Sequence, residues 1–354
     1  MPLRARDLPR PIADLIAEGA AVPAHPLALN ARRRLDPRRQ RALTRYYLDA
    51  GADGIAVGVH TTQFAIREAG LYEPVLRLAA ESADEWTDRP LAMIAGLAGG
   101  TAQARQEADI AVGLGYSAGL LSLAAMSHAG EEELIAHCRA VAERIPLFGF
   151  YLQPAVGGRT LSPDFWRRFC EIENVVGIKI APFHRYRTLD VMRGLVDAGA
   201  EERVTLYTGN DDHIVLDLIT PFQVPRADGS LATVRIKGGL LGHWSVWTRT
   251  AVALHRRCRQ ASRSESVDAG LLSLDSRVTA MNAAIFDVAN DFAGCITGCH
   301  EILRRQGLLE GVWCLDPEET FGPGQLAEID RVCALYADLT DDAFVAENLE
   351  RWLG

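Results

Sequence analysis

LFGFYLQPAVGGRTLSPDFWRRFCEIENVVGIKI, residues 147–180, sets two short apolar runs (147–152 and 175–180) on either side of an amphipathic stretch at 162–172. The runs are of strand length and the stretch between them suits a crossover helix, so the segment reads as a strand–helix–strand unit of a parallel sheet. Ser162 before Pro163 marks the helix start: the hydroxyl can cap free amides, and proline is favoured at the first helical position.

The same rhythm extends in both directions, giving eight apolar runs in all, at 22–30, 54–59, 91–96, 118–123, 147–152, 175–180, 204–208 and 238–243. Helical patterns at 37–50, 102–114, 131–144, 162–172 and 189–198 fall between them. Eight repeated strand–helix units predict an α/β fold, a (β/α)8 TIM barrel. Residues 222–236 (FQVPRADGSLATVRI) interrupt the rhythm with Pro, Asp-Gly and β-branched residues, the composition of a hairpin inserted before the eighth strand. After Trp247 the strands stop. The expected organisation is therefore a barrel over 1–250 and additional C-terminal helices over 251–354, packed on it and interrupted by a turn-rich stretch at 315–324.

Bulk properties exclude several classes. Of 354 residues, 48% are hydrophobic and 23% charged, ordinary values for a globular chain with a large core. A net charge of -9 argues against a nucleic-acid partner, which needs clustered positive charge. Apolar stretches such as 110–123 are too short and too interrupted to enter a membrane, and the N-terminal residues lack the apolar centre of a signal peptide. Seven cysteines without a CxxC pair fit reduced thiols, so a cytoplasmic protein is expected.

Only Lys179 and Lys237 are lysines among 37 basic residues; the remainder are arginine. A chain that has exchanged nearly every ammonium for guanidinium retains one inside VVGIKI, where an amine is needed or where a strand-end side chain reaches water. Arginine cannot form an imine at neutral pH, whereas an amine buried among apolar neighbours loses its charge more easily and can attack a carbonyl. Position favours the first reading, because the C-terminal ends of barrel strands carry the chemistry. Lys237 in RIKGG, beside the hairpin, reads as a solvated charge. Tyr151 ends the preceding run as Lys179 ends its own. Gly149 and Tyr151 share one face, and Gly177 and Lys179 share one face, so a phenol is expected beside the amine as a proton relay.

These residues resemble the dihydrodipicolinate synthase and N-acetylneuraminate lyase family. NVVGIKI is similar to the family's lysine strand, GADGIAVGVHTTQF to its strand-two segment, YLQP to its Tyr-Asn-x-Pro turn, and TGNDD to the segment after its seventh strand. The resemblance implies a Schiff base on Lys179, proton relay through Tyr151 and Thr62, and a 2-oxo acid carboxylate held at Thr61 and Thr62. It also implies substrate contacts from Gly209 and Arg159, no cofactor, and a homodimer or homotetramer, whereas His60, which stands where the family has glycine, is expected to give different substrate contacts. His243, at the end of the eighth run, is expected to line an extended substrate pocket.

Two departures narrow the reaction. The strand-two loop is His60-Thr61-Thr62-Gln63-Phe64 where the family has Gly-Thr-Thr-Gly-Glu, and residues 123–126 (LAAM) lack the tyrosine that the synthase branch sends to a neighbouring subunit. The expected activity is thus that of a class I lyase, aldolase or dehydratase on a 2-oxo acid or sugar-acid-derived substrate, and not dihydrodipicolinate synthesis. Two alternatives stay open: a barrel that binds a small molecule without catalysis, and a metal-dependent lyase. For the latter, Asp211, Asp212 and His213 are poorly spaced as ligands and read as helix-start residues.

Overall fold

The computed structural model describes residues 2–354. The strands are β1 (Ala21–Pro23), β2 (Gly54–Val57), β3 (Ala92–Leu97), β4 (Ala118–Leu121), β5 (Leu147–Leu152), β6 (Val175–Ala181), β7 (Thr205–Thr208), β8 (Phe222–Pro225), β9 (Leu231–Val234) and β10 (Ile236–Leu241). Eight of them form one parallel sheet in the order β1-β10-β7-β6-β5-β4-β3-β2. A parallel bridge between Ala24 and Ala56, with the His25 amide donating to the Ala56 carbonyl at 2.8 Å, closes that sheet into the barrel. β8 and β9 pair only with each other, antiparallel, as the inserted hairpin.

Helix α1 (Arg10–Glu18) precedes the barrel; α2 (Pro37–Ala50), α3 (Tyr72–Trp86), α4 (Thr101–Gly113), α5 (Glu131–Ala142), α6 (Pro163–Cys170), α7 (Arg185–Asp197), α8 (Ile214–Ile219) and α9 (Thr248–Ala261) form its outer layer. α9 is the eighth helix of that layer and runs across residue 250. Beyond it, α10 (Ala269–Ile285), α11 (Cys295–Arg305), α12 (Gln325–Leu335) and α13 (Asp342–Leu353) pack on the barrel. No helix among the described residues is long and apolar enough to cross a membrane.

Local chemistry explains the boundaries. Asp36 caps α2 by accepting from the Arg39 amide at 3.1 Å, and Ser162 caps α6 by accepting from the Phe165 amide at 3.0 Å. Each such cap stabilises its helix by about 1 kcal/mol. α6 then buries Phe165, Trp166, Phe169 and Cys170 beneath the layer. The first run is shorter than its apolar length suggests: β1 ends at Pro23, and the chain to Asn30 is a buried loop. α7 starts four residues before the expected 189.

Two apolar cores lie inside and outside the sheet. The inner one stacks Val22, Ala56, Ile94, Leu120, Phe148, Tyr207 and Leu240, with Phe148 and Tyr207 edge to face at 5.0 Å. α1 seals the floor: Ile16 joins this core, and the Tyr207 hydroxyl donates to the Ile16 carbonyl at 2.8 Å while accepting from the Ala20 amide at 3.1 Å. Lys237 sits at this end, exposed, its ammonium donating to the Ala17 carbonyl at 3.3 Å.

Candidate active site

At the opposite end the strand termini surround a cleft. Lys179 reaches it from β6, buried at 8% exposure, its Nζ lying 4.5 Å from the centre of the Phe150 ring. Gly209 makes room for it, since a Cβ there would lie 2.6 Å from the lysine Cε. Burial pushes the amine down to about 8; the charge of Asp211 and, less, the Cys295 thiol oppose that shift. Asp211, one turn past β7, is itself pushed up to about 7 by burial, with the Lys179 charge pulling the other way. One of its oxygens accepts from the His243 amide at 2.9 Å. The result is an amine that sheds its proton readily, next to a carboxyl group that titrates near neutrality.

Of the expected site residues, the structure brings Lys179, His60, Thr61 and Gly209 to the cleft. His60 faces it as a neutral imidazole, lowered to about 4 chiefly by burial and further by the Lys179 charge. Thr62 is turned away and serves the loop: its hydroxyl donates to the His25 carbonyl at 2.6 Å and accepts from the Gly58 amide at 2.9 Å, tying the β1 and β2 ends together. Arg159 lines a smaller neighbouring pocket, and its Nη1 donates to the carbonyls of Met126, Ser127 and Ala129 at 3.2, 3.2 and 2.7 Å, bracing the loop after β4. His243 points to the far side, its ring 5.8 Å from that of Trp247 and its Nδ1 3.4 Å from the Asn282 amide nitrogen.

Tyr151 does not meet the amine. A Cβ on Gly149 would strike Phe169 at 2.7 Å, whereas one on Gly177 would strike Phe148 at 2.5 Å. Gly149 and Tyr151 therefore face the helices, and Gly177 and Lys179 face the interior. The reason is register: β5 pairs Leu147 with Val175 but Phe148 with Gly177, a one-residue irregularity after which Phe150, not Tyr151, stands beside Lys179. Tyr151 packs on Trp166 at 5.1 Å, and its hydroxyl bonds the backbone of Leu161 at 3.3–3.4 Å. Tyr151→Phe is accordingly expected to lower stability by about 1 kcal/mol and turnover by less than about tenfold. Thermal unfolding beside a turnover assay checks this; a loss approaching a thousandfold would put the phenol back in the chemistry.

The sequence of residues 21–220 matches the pattern of the dihydrodipicolinate synthetase family. The chain belongs to that family. It is 25% identical over 279 residues to the 4-hydroxy-tetrahydrodipicolinate synthase of Azoarcus sp. (strain BH72), covering 78% of this chain and 84% of that one. Among solved structures, the 4-hydroxy-tetrahydrodipicolinate synthase of Methylacidiphilum fumariolicum SolV superposes with a TM-score of 0.73 at 18% identity, covering 93% of this chain and 98% of that one. A dihydrodipicolinate synthase from Acinetobacter baumannii, complexed with pyruvate, gives 0.71 at 17% identity over 90% and 98% of the two chains. These structural likenesses establish a shared (β/α)8 barrel.

Several residues of this family member's site were not foreseen. Asp211 reads in the sequence as a helix-start residue, yet α8 begins only at Ile214 and the acid turns inward. Phe286 and Phe292 come from the turn between α10 and α11, and Cys295 from the start of α11, too far along the chain for strand periodicity to place them. Asp287, Asp291 and Phe292 all hold left-handed backbones (φ 54°, 52° and 68°), a strained turn that carries the last of these rings over the cleft. No group of three or more His, Cys, Asp and Glu side chains among the described residues converges as metal ligands do.

Proposed function

We propose that the protein is a class I lyase of the aldolase or dehydratase type, acting on a 2-oxo acid through an imine on Lys179. The carrying observation is the amine itself. It is buried at the mouth of a barrel, lowered to about 8, open to a cleft, and influenced by Asp211 through charge and not through a hydrogen bond. A lysine kept only for packing gains nothing from such a placement.

In this reading the neutral amine adds to the keto carbon, water leaves, and the protonated imine withdraws electrons from the adjacent carbon. Asp211 takes the part assigned by resemblance to Tyr151: it accepts a proton as the substrate bond breaks and returns one as the imine is released. Thr61 and the loop around it face the end of the cleft where the carboxylate would lie. The remaining inward tyrosine, Tyr207, points to the floor and is spent on Ile16 and Ala20. With Arg159 committed to carbonyls and no tyrosine in 123–126, dihydrodipicolinate synthesis is not the reaction we assign.

Pyruvate, bound by the Acinetobacter relative, is the first compound to try. Borohydride added with pyruvate should fix its carbon skeleton on Lys179, located by peptide mass. The trapping rate should rise through pH 8 instead of near 10.5, because only the neutral amine attacks and burial has lowered its proton affinity. A rate still climbing at pH 10 would mean that the amine is not desolvated, and failure to trap any 2-oxo acid would remove the imine. The outward Tyr151 favours one further reading, a barrel that binds a 2-oxo acid without turning it over; trapping with no turnover on any partner would show it.

A further inference from the structure

We infer that the carbonyl fragment exchanged at the Lys179 enamine is an aldehyde bearing an aromatic or bulky apolar group and no second anionic group. This rests on the Schiff-base reading and deepens it by naming the class of the second substrate.

The cleft above the amine is walled by phenyl rings from three parts of the chain: Phe150 on β5, Phe183 after β6, and Phe286 and Phe292 from the C-terminal region. Phe183 and Phe292 meet edge to face at 5.8 Å across the opening. Both hold left-handed backbones, φ 48° and 68°, in which a phenylalanine is rarely found, so two separate segments are bent in the way that brings these rings together. Phe292 remains partly exposed, leaving ring surface for a ligand to cover. Among the described residues, Lys179 is the one lysine or arginine lining the cleft. Arg159, in the loop after β5, has Nη1 occupied by three carbonyls and lines the adjoining pocket. A second carboxylate or a phosphate would thus be desolvated against phenyl rings, facing Asp211, with no cation to receive it.

The step balances within these residues. In the cleavage direction the carbinol proton passes to the Asp211 carboxylate, the carbon–carbon electron pair moves toward the iminium nitrogen to leave an enamine, and the apolar aldehyde departs. The enamine then takes a proton at carbon, and water releases the 2-oxo acid and the free amine.

The test runs in the condensation direction. The protein is given pyruvate with benzaldehyde, with succinic semialdehyde as the carboxylate-bearing competitor and with glyceraldehyde as the polyhydroxy one, and products are quantified by chromatography. Borohydride trapping of pyruvate runs alongside. Benzaldehyde is expected to exceed both competitors in kcat/KM by about 100-fold, the scale of an apolar pocket's discrimination. Phe292→Arg should compress that ratio at least tenfold in favour of succinic semialdehyde. Phe183→Ser, which alters the other segment, provides the same comparison if the first variant does not fold. Intact trapping with either competitor preferred, or with no aldehyde condensing, overturns the apolar assignment and leaves the imine standing. Absent trapping overturns the imine reading and this inference with it.

Discussion

Lys179→Met is expected to lose all borohydride-fixed mass and all turnover above background while keeping its fold. Methionine fills nearly the same volume without charge or nucleophile. The folded-state proton affinity of Lys179 lies below its ordinary value, so the charged amine opposes folding wherever it is protonated, that is below about pH 8. Removing it should therefore raise Tm at pH 7, and the gain should fade as pH climbs from about 8 toward 10.5, where the unfolded lysine also gives up its proton. A scan of Tm against pH, paired with trapping, separates loss of chemistry from loss of structure. Lys179→Arg should be equally inactive with the charge retained. Turnover surviving in either variant would end the imine mechanism.

Asp211→Asn should divide the two halves of the reaction. Turnover is expected to fall by about 10²- to 10⁴-fold, the usual contribution of a general acid–base group, while trapping persists. The sign of a second effect is fixed by charge: the Asp211 carboxylate holds the lysine's proton affinity up, so its loss lets burial push the amine further down. At pH 6–7 the variant should form the imine faster than the parent even as it completes the cycle far more slowly. Trapping that slows in step with turnover would make Asp211 a packing or positioning group. The pH profile must be read with His60 in view, since it also faces the amine; as it is lowered to about 4, it stays neutral across the range measured.

The barrel was legible because each strand–helix unit carries its own local signature: an apolar run, a cap such as Ser162, and a turn. Lys179 was legible for a compositional reason, being one of two lysines in an arginine-rich chain. What sequence could not show was phase. Gly149–Tyr151 and Gly177–Lys179 have the same spacing, but which face each pair takes depends on how two neighbouring strands slip past one another, and a one-residue irregularity in β6 decides it. The same limit applies to Thr62 and Arg159. Their side chains suit a carboxylate, and only the folded backbone shows that carbonyls of residues 25 and 126–129 already claim them. Asp211 was missed for the opposite reason, because acids before a helix are so commonly explained by its dipole.

The floor closed by α1 also has a kinetic side. With Ile16 and Tyr207 plugging the strand starts, the cleft opens at the strand ends, where Phe183 and Phe292 meet. On the imine reading, substrate, departing fragment and hydrolytic water would all pass at that end. On that reading an enamine formed beneath a fragment that lingers there would be kept dry and would recombine, whereas one whose fragment has gone would meet water at once. The dwell time of the first product at the opening would then set how often a turnover runs backward before it completes.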